Sequence, residues 1–217
     1  MIININKPVD WSSFDVVKKI KNITKHKKVG HGGTLDPFAS GVLIIGTEKD
    51  TRSLSSITNS DKTYEAEIEL GKVTNTLDTE GEVVREMPIP MMESKNIEST
   101  LHSFMGKQKQ IPPMFSAKKH NGIRLYKLAR MGKEIDREDI DIFISDIRLI
   151  DFNRNSIKFS VECSKGTYVR VLGKDIAERL GTVGYLTELT RTKVGDHLID
   201  DSLSIELFQN KWKSTEQ

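Results

Sequence analysis

The stretch GHGGTLDPFASGVLIIG, residues 30–46, sets a histidine, closely spaced glycines and an Asp-Pro pair directly ahead of an apolar run. Asp36 precedes a proline, which biases it toward extended or turn geometry. Gly30, Gly32 and Gly33 let the backbone approach a neighbour closely or take positive φ. Two readings of the carboxylate follow: an Asx-type turn leading into a core strand, or an acid presented on a close-approach loop. A phosphate cradle fits poorly, because the Gly-Lys-Ser/Thr ending is missing. The second candidate is CSKGTYVR, residues 163–170. It turns at Gly166 and presents Tyr168 and Arg170, an arginine suited to a bidentate grip on a buried carboxylate or to the surface. The third is Tyr64 on the apolar face of DKTYEAEI, as a core residue whose hydroxyl needs a partner or as a catalytic group. His31 could act as base or ligand, but no other His or Cys stands at metal-ligand spacing. No nucleophile elbow or dinucleotide fingerprint occurs. A site built from a carboxylate, an arginine and a tyrosine, with no metal and no cofactor, is what remains.

Local elements must hold these groups in place. Ser13 is positioned to cap a helix to about Lys25, with Phe14, Val17, Ile20 and Ile23 on one face. Val42 to Ile45 reads as a buried strand, and Thr47 to Ile57 as a helix with Thr51, Leu54 and Ile57 along one side. KTYEAEIELG alternates, with Tyr64, Ala66, Ile68 and Leu70 facing a core. Ser94 opens a helix bearing Ile97, Leu101 and Phe104, closed by Gly106. Pro112-Pro113 begins a loop insertion, in which RLYKLARMG forms a short helix ended by Gly132. DIFISDIRLIDF and SIKFSVECS read as a strand pair around Asn153 to Asn155. Gly173 to Leu180 reads as a helix and LTELTRTKVG as a final strand. Hairpin-like pairs rather than regular βαβ units give an α+β fold with a largely antiparallel mixed sheet and flanking helices. Residues 1–202 are expected as one catalytic domain with an insertion at 107–136, and 203–217 as a short tail.

The 217 residues are 36% hydrophobic and 29% charged, as in ordinary globular chains. One cysteine, Cys163, rules out an internal disulfide framework. No basic n-region with an apolar h-region opens the chain, and no apolar run reaches the roughly 20 residues that span a bilayer. The expectation is a cytoplasmic protein that does not meet the membrane. The net charge is only +2, but its distribution is uneven. Lys107 to Lys133 carries eight basic residues and no acid, and Lys18, Lys19, Lys21, Lys25, Lys27 and Lys28 precede the Asp36 loop. Two basic surfaces suit a docked polyanion, or form solvated helix faces.

Six segments in register resemble the bacterial TruB-type tRNA pseudouridine synthases. They are NKPVDWSSFDVV, KVGHGGTLDPFASGVL, DKTYEAEIELG, QIPPMFSAKKHNGIRLYKLARMG, CSKGTYVRVLGKDIAERLG and LTELTRTKVG. The resemblance implies the pseudouridine synthase fold with a central RNA-binding cleft. It also implies isomerisation of uridine to pseudouridine at position 55 in the tRNA T-loop. It makes Asp36 the nucleophile, Arg170 its cationic partner, and Tyr64 the ring stacked on the target base, with a possible part in proton transfer. His31 would support the flipped-out nucleotide, Lys7 would brace the site, and Tyr168 and Leu189 would line the pocket. The insertion, with Lys118, Lys119 and Arg124, would grip RNA. The glycines beside Asp36 would clear room for the RNA backbone. Two departures stand out: Gly32 replaces a threonine of many relatives, and no C-terminal PUA domain is expected. The partner is the T-arm of tRNA, bound by a monomer with no obligate protein partner. The rival functions are a tRNA-binding and folding module, or the same isomerisation on another RNA uridine.

Overall fold

In the computed structural model, which describes residues 1–215, the opening IININK forms β1 (Ile2–Lys7) and buries Ile3, Ile5 and Lys7. Helix α1 (Ser13–Thr24) follows. Its N-cap is Ser12, whose hydroxyl accepts from the Asp15 N–H at 3.1 Å while the Asp15 carboxylate accepts from the Ser12 N–H at 3.0 Å. This reciprocal box satisfies two donors that a helix start leaves open. The Ser12 hydroxyl bond, and then its backbone N–H, hold the Asp15 carboxyl below its ordinary value. The chain continues through β2 (Val29–His31), β3 (Ser40–Thr47), a 3-10 turn at Glu48–Arg52, α2 (Leu54–Asn59) and β4 (Lys62–Leu70).

These elements form a first unit, residues 1–65, together with the chain from Glu188 onward. Strand β3 is its centre. It pairs antiparallel with β1, from Ile2 opposite Gly46 to Lys7 opposite Gly41, and antiparallel with β2. Leu43 and Ile45 face Ile3, Ile5, Val16, Val17 and Ile20. Val42 and Ile44 face the other way, into a cluster with Leu54 and Val194. Burial on both faces explains why this strand reads as a continuous apolar run.

The second unit, residues 66–187, holds the ribbon β5 (Lys72–Thr74) and β6 (Val83–Glu86), α3 (Ser94–His102) and β7 (Gly106–Gln110). It continues with β8 (Lys119–His120), β9 (Ile123–Arg124), α4 (Leu125–Arg130), β10 (Ile140–Phe152), β11 (Ser156–Cys163) and α5 (Val169–Arg179). Strand β12 (Gly184–Val194) then carries the chain back to the first unit, where β13 (His197–Leu198) and α6 (Ile205–Thr215) complete it. In the second unit the strand order is β12-β4-β11-β10-β7. The β10–β11 hairpin runs antiparallel from Phe152 opposite Ile157 to Ile144 opposite Cys163, and β7 pairs antiparallel along β10. Helix α3 packs on β10 and α5. In the first unit β12 joins β3 in parallel, with Arg191 opposite Gly41. A Cβ on Gly41 would lie 2.2 Å from the Arg191 carbonyl oxygen, so no larger residue fits there. No helix of the described residues is long and apolar enough to cross a membrane.

Several expectations shift. The cap of α1 is Ser12, and the Ser13 hydroxyl is used elsewhere. Phe14, expected on the buried face, is 70% exposed, and Val16 takes that face. Helix α5 begins at Val169 rather than Gly173, which puts Arg170 in its first turn. Strand β1 was not anticipated. In the segment expected as a tail, Leu203 bridges to Ile5 and α6 sends Phe208 into the core of the first unit.

Candidate active site

In the first unit, Asp36 sits half-buried on the loop between β2 and β3. The backbone on both sides of it is held by side chains from three distant segments. Lys7 Nζ donates to Pro37 O at 3.2 Å, and also to Trp11 O at 2.6 Å and Pro8 O at 2.8 Å. The Ser13 hydroxyl accepts from the Leu35 N–H at 2.9 Å and donates to Leu35 O at 3.1 Å. Arg191 donates from Nη2 to Gly33 O at 3.2 Å, from Nη1 to Thr34 O at 3.4 Å and from Nε to Val42 O at 2.8 Å. The Asp10 N–H adds a bond to Pro37 O, and the Ala39 N–H closes a turn on Asp36 O. Lys7 and Arg191 are at 0% and 1% exposure. Burying such charges is costly unless hydrogen bonds satisfy them, and here carbonyl oxygens of the loop and of Pro8, Trp11 and Val42 accept from them. The arrangement fixes where the Asp36 carboxylate is carried before any substrate arrives.

The glycines ahead of Asp36 serve this packing. A Cβ on Gly30 would meet Leu54 Cδ1 at 3.3 Å, and one on Gly32 would meet Ile57 Cγ2 at 3.1 Å. The smallness of Gly30 and Gly32 admits α2. His31 ends β2 opposite Ile45. Tyr64 on β4 and Leu189 on β12 are buried, at 8% and 6% exposure.

The second unit holds Arg170, at 3% exposure. Its Nη1 lies 3.1 Å from Asp78 Oδ2 and donates to Thr76 O at 2.6 Å, while Nη2 donates to Phe115 O at 2.8 Å. One guanidinium thus ties the β5–β6 connection and the start of the insertion to α5. Asp78 also accepts from the Thr76 hydroxyl at 2.6 Å and the Glu80 N–H at 3.0 Å. Tyr168 is the N-cap of α5. Its N–H donates to Gln110 Oε1 at 2.8 Å, and its carbonyl accepts from Gln110 Nε2 at 3.1 Å. Lys118, Lys119 and Arg124 are exposed on the β8–β9 hairpin, where Lys119 is opposite Arg124. Asn121 and Gly122 form its turn with φ of 48° and 81°, and this Asn-Gly pair was a readable hairpin signal.

Sequence reasoning missed Asp78, Ser13 as a loop clamp, and Arg191. Asp78 looks like a turn residue in TNTLDTEGE, and nothing local marks its arginine. Arg191 bonds to carbonyls, which leave no trace in side-chain chemistry. Asp36, Lys7, His31, Tyr64 and Leu189 belong to the first unit, and Arg170, Tyr168, Lys118, Lys119 and Arg124 to the second.

The sequence model described as the TruB family pseudouridylate synthase N-terminal domain matches residues 21–169. A protein named tRNA pseudouridine synthase B from Clostridium tetani is 44% identical over 205 residues, covering 94% of this chain and 71% of that one. The protein of the same name from Clostridium acetobutylicum is 45% identical over 206 residues, covering 95% and 70%. Among solved structures, the crystal structure of a Cbf5-Nop10-Gar1 complex matches with a TM-score of 0.78 at 26% identity, covering all of this chain and 56% of that one.

Proposed function

Because the chain belongs to the TruB family of pseudouridylate synthases, we propose that it isomerises uridine to pseudouridine at position 55 in the T-loop of tRNA. The observation that carries the site assignment is the clamped loop: backbone on both sides of Asp36 is fixed by Lys7, Ser13 and Arg191.

The reaction breaks the bond from base N1 to C1′, turns the uracil, and joins C5 to C1′. N1 gains a proton and C5 loses one, so nothing is oxidised and no group is consumed. Asp36 acts as a nucleophile that attaches and then leaves, as a carboxylate can. Arg170 is its cationic partner, and its own place is fixed by Asp78. Tyr64 offers a flat ring to the loosened base, and stacking of this kind contributes about 1–3 kcal/mol. His31 supports the flipped nucleotide, while Tyr168 and Leu189 shape the pocket. Pulling the uridine out of its stack costs a few kcal/mol, which phosphate contacts from Lys118, Lys119 and Arg124 offset. The enzyme works in the cytoplasm as a monomer with no obligate protein partner.

Mapping pseudouridine in an unmodified tRNA transcript tests this reading. The parent protein converts a single T-loop uridine. Asp36→Asn binds the transcript but converts none. Binding without conversion by the parent would overturn the assignment in favour of a tRNA-folding module. Full activity in Asp36→Asn would remove that residue from the nucleophile's role.

A further inference from the structure

Phe14 is a large apolar side chain left 70% exposed on the first turn of α1. Its chain neighbour Ser13 clamps Leu35, and nearby Trp11 gives its carbonyl to the same Lys7 that holds Pro37. The aromatic ring therefore stands on the backbone segment that fixes the Asp36 loop. Further along, Lys18 and Lys21 of α1 and its C-cap Lys25 are all exposed. At 3.6 residues per turn Lys18 and Lys21 fall with Phe14 inside about 60° of arc, over about 10 Å of helix axis, and Lys25 follows with the left-handed backbone that ends the helix. No acid of α1 falls on that arc, but Asp15, bound by Ser12, is near enough for the Lys18 charge to help lower its carboxyl pKa. Asp10, Trp11, Asp15, Lys18, Lys19 and Asn22 line a groove of about 350 Å³ beside the strip.

A ring followed by a row of ammonium groups is complementary to a single nucleic-acid strand. A base has a face that stacks on an aromatic, and each following nucleotide brings a negative charge. Packing does not require these residues to be of this kind, because the buried face of α1 is made by Val16, Val17, Ile20 and Thr24. We propose that the strand adjoining the target uridine stacks an unpaired base on Phe14 and lays its next phosphates along Lys18, Lys21 and Lys25. This rests on the reading of the protein as an RNA-modifying enzyme, and adds to it a track for substrate outside the reacting pocket.

The test compares the parent, Phe14→Ala, Phe14→Tyr and a triple Lys18→Gln/Lys21→Gln/Lys25→Gln variant on unmodified tRNA transcript. Dissociation constants are measured over a series of salt concentrations, and single-turnover conversion is measured at saturating RNA. Phe14→Ala weakens binding by about 5–150-fold, and Phe14→Tyr restores most of it. The triple variant lowers the slope of log K against log salt by about 2. Saturated single-turnover rates stay at the parental value in all of them, as do thermal midpoints. Parental affinity in Phe14→Ala, or a parental salt slope in the triple variant, would overturn the track while conversion by the parent continued. Failure of the parent itself to make pseudouridine would instead overturn the underlying functional reading.

Discussion

Lys7 and Arg191 put buried cations under the Asp36 loop and direct them at backbone oxygens. The sequence marked Lys7 only through its likeness to a family motif, and gave Arg191 no role of its own. A charge whose partners are carbonyls far along the chain has no local signature, whereas Asp36, before a proline and among glycines, has one. Asp78 shows the same limit. It is 2% exposed, and its cation Arg170 is 3% exposed. Removing one member of a buried pair leaves the other uncompensated, at about 3–5 kcal/mol. Asp78→Ala should lose that much in urea denaturation. Asp78→Ala with Arg170→Met should lose less than the sum of the two single changes, as expected of contacting groups. A loss below about 1 kcal/mol in Asp78→Ala would show that the pair does not hold this part of the fold.

At the level of elements, the strands with strict alternation were the most legible. β4 buries Tyr64, Ala66, Ile68 and Leu70 as read, and β10 and β11 meet around Asn153–Asn155 as expected. Helix α1 was found but rotated. Its four-residue apolar spacing allowed Phe14 or Val16 on the buried side, and the staple between Trp11 and Val16, which share one cluster, chose the latter. The cap moved with it, from Ser13 to Ser12. Ser12→Ala should cost about 1 kcal/mol, which for a chain of this size lowers Tm by about 2–4 °C. The effect depends on pH. Asp15 is held below its ordinary 3.8 by Ser12, so its contribution is fully present above 3.8 and is lost as pH falls through the depressed folded value. Thermal melts at neutral and at strongly acidic pH should show the gap between parent and Ser12→Ala narrowing in acid. A gap that stays constant would show that the carboxylate half of the box contributes nothing.

For the molecule as a whole, a net charge of +2 conceals basic clusters at separate places along the sequence, so salt response is the informative measurement. Changing Lys118, Lys119 and Arg124 together to glutamine should lower the slope of log K against log salt for tRNA by about 2, with little change in thermal stability, since all three are exposed on a hairpin. An unaltered slope would remove the insertion from the phosphate contacts. Fold class and the β10–β11 hairpin could be read from periodicity and turns, but the other strand partners could not. The division into two units could not, because it depends on β4 and β12 carrying the chain out and back. That path bears on how the protein is made. Residues 66–187 are contiguous, whereas the first unit needs Glu188 onward before Arg191 can reach Gly33 and Thr34. At about 5–20 residues per second, the loop bearing Asp36 waits about 8–30 seconds for its last clamp, and a nascent chain stalled before β12 would carry the acid without the frame that aims it.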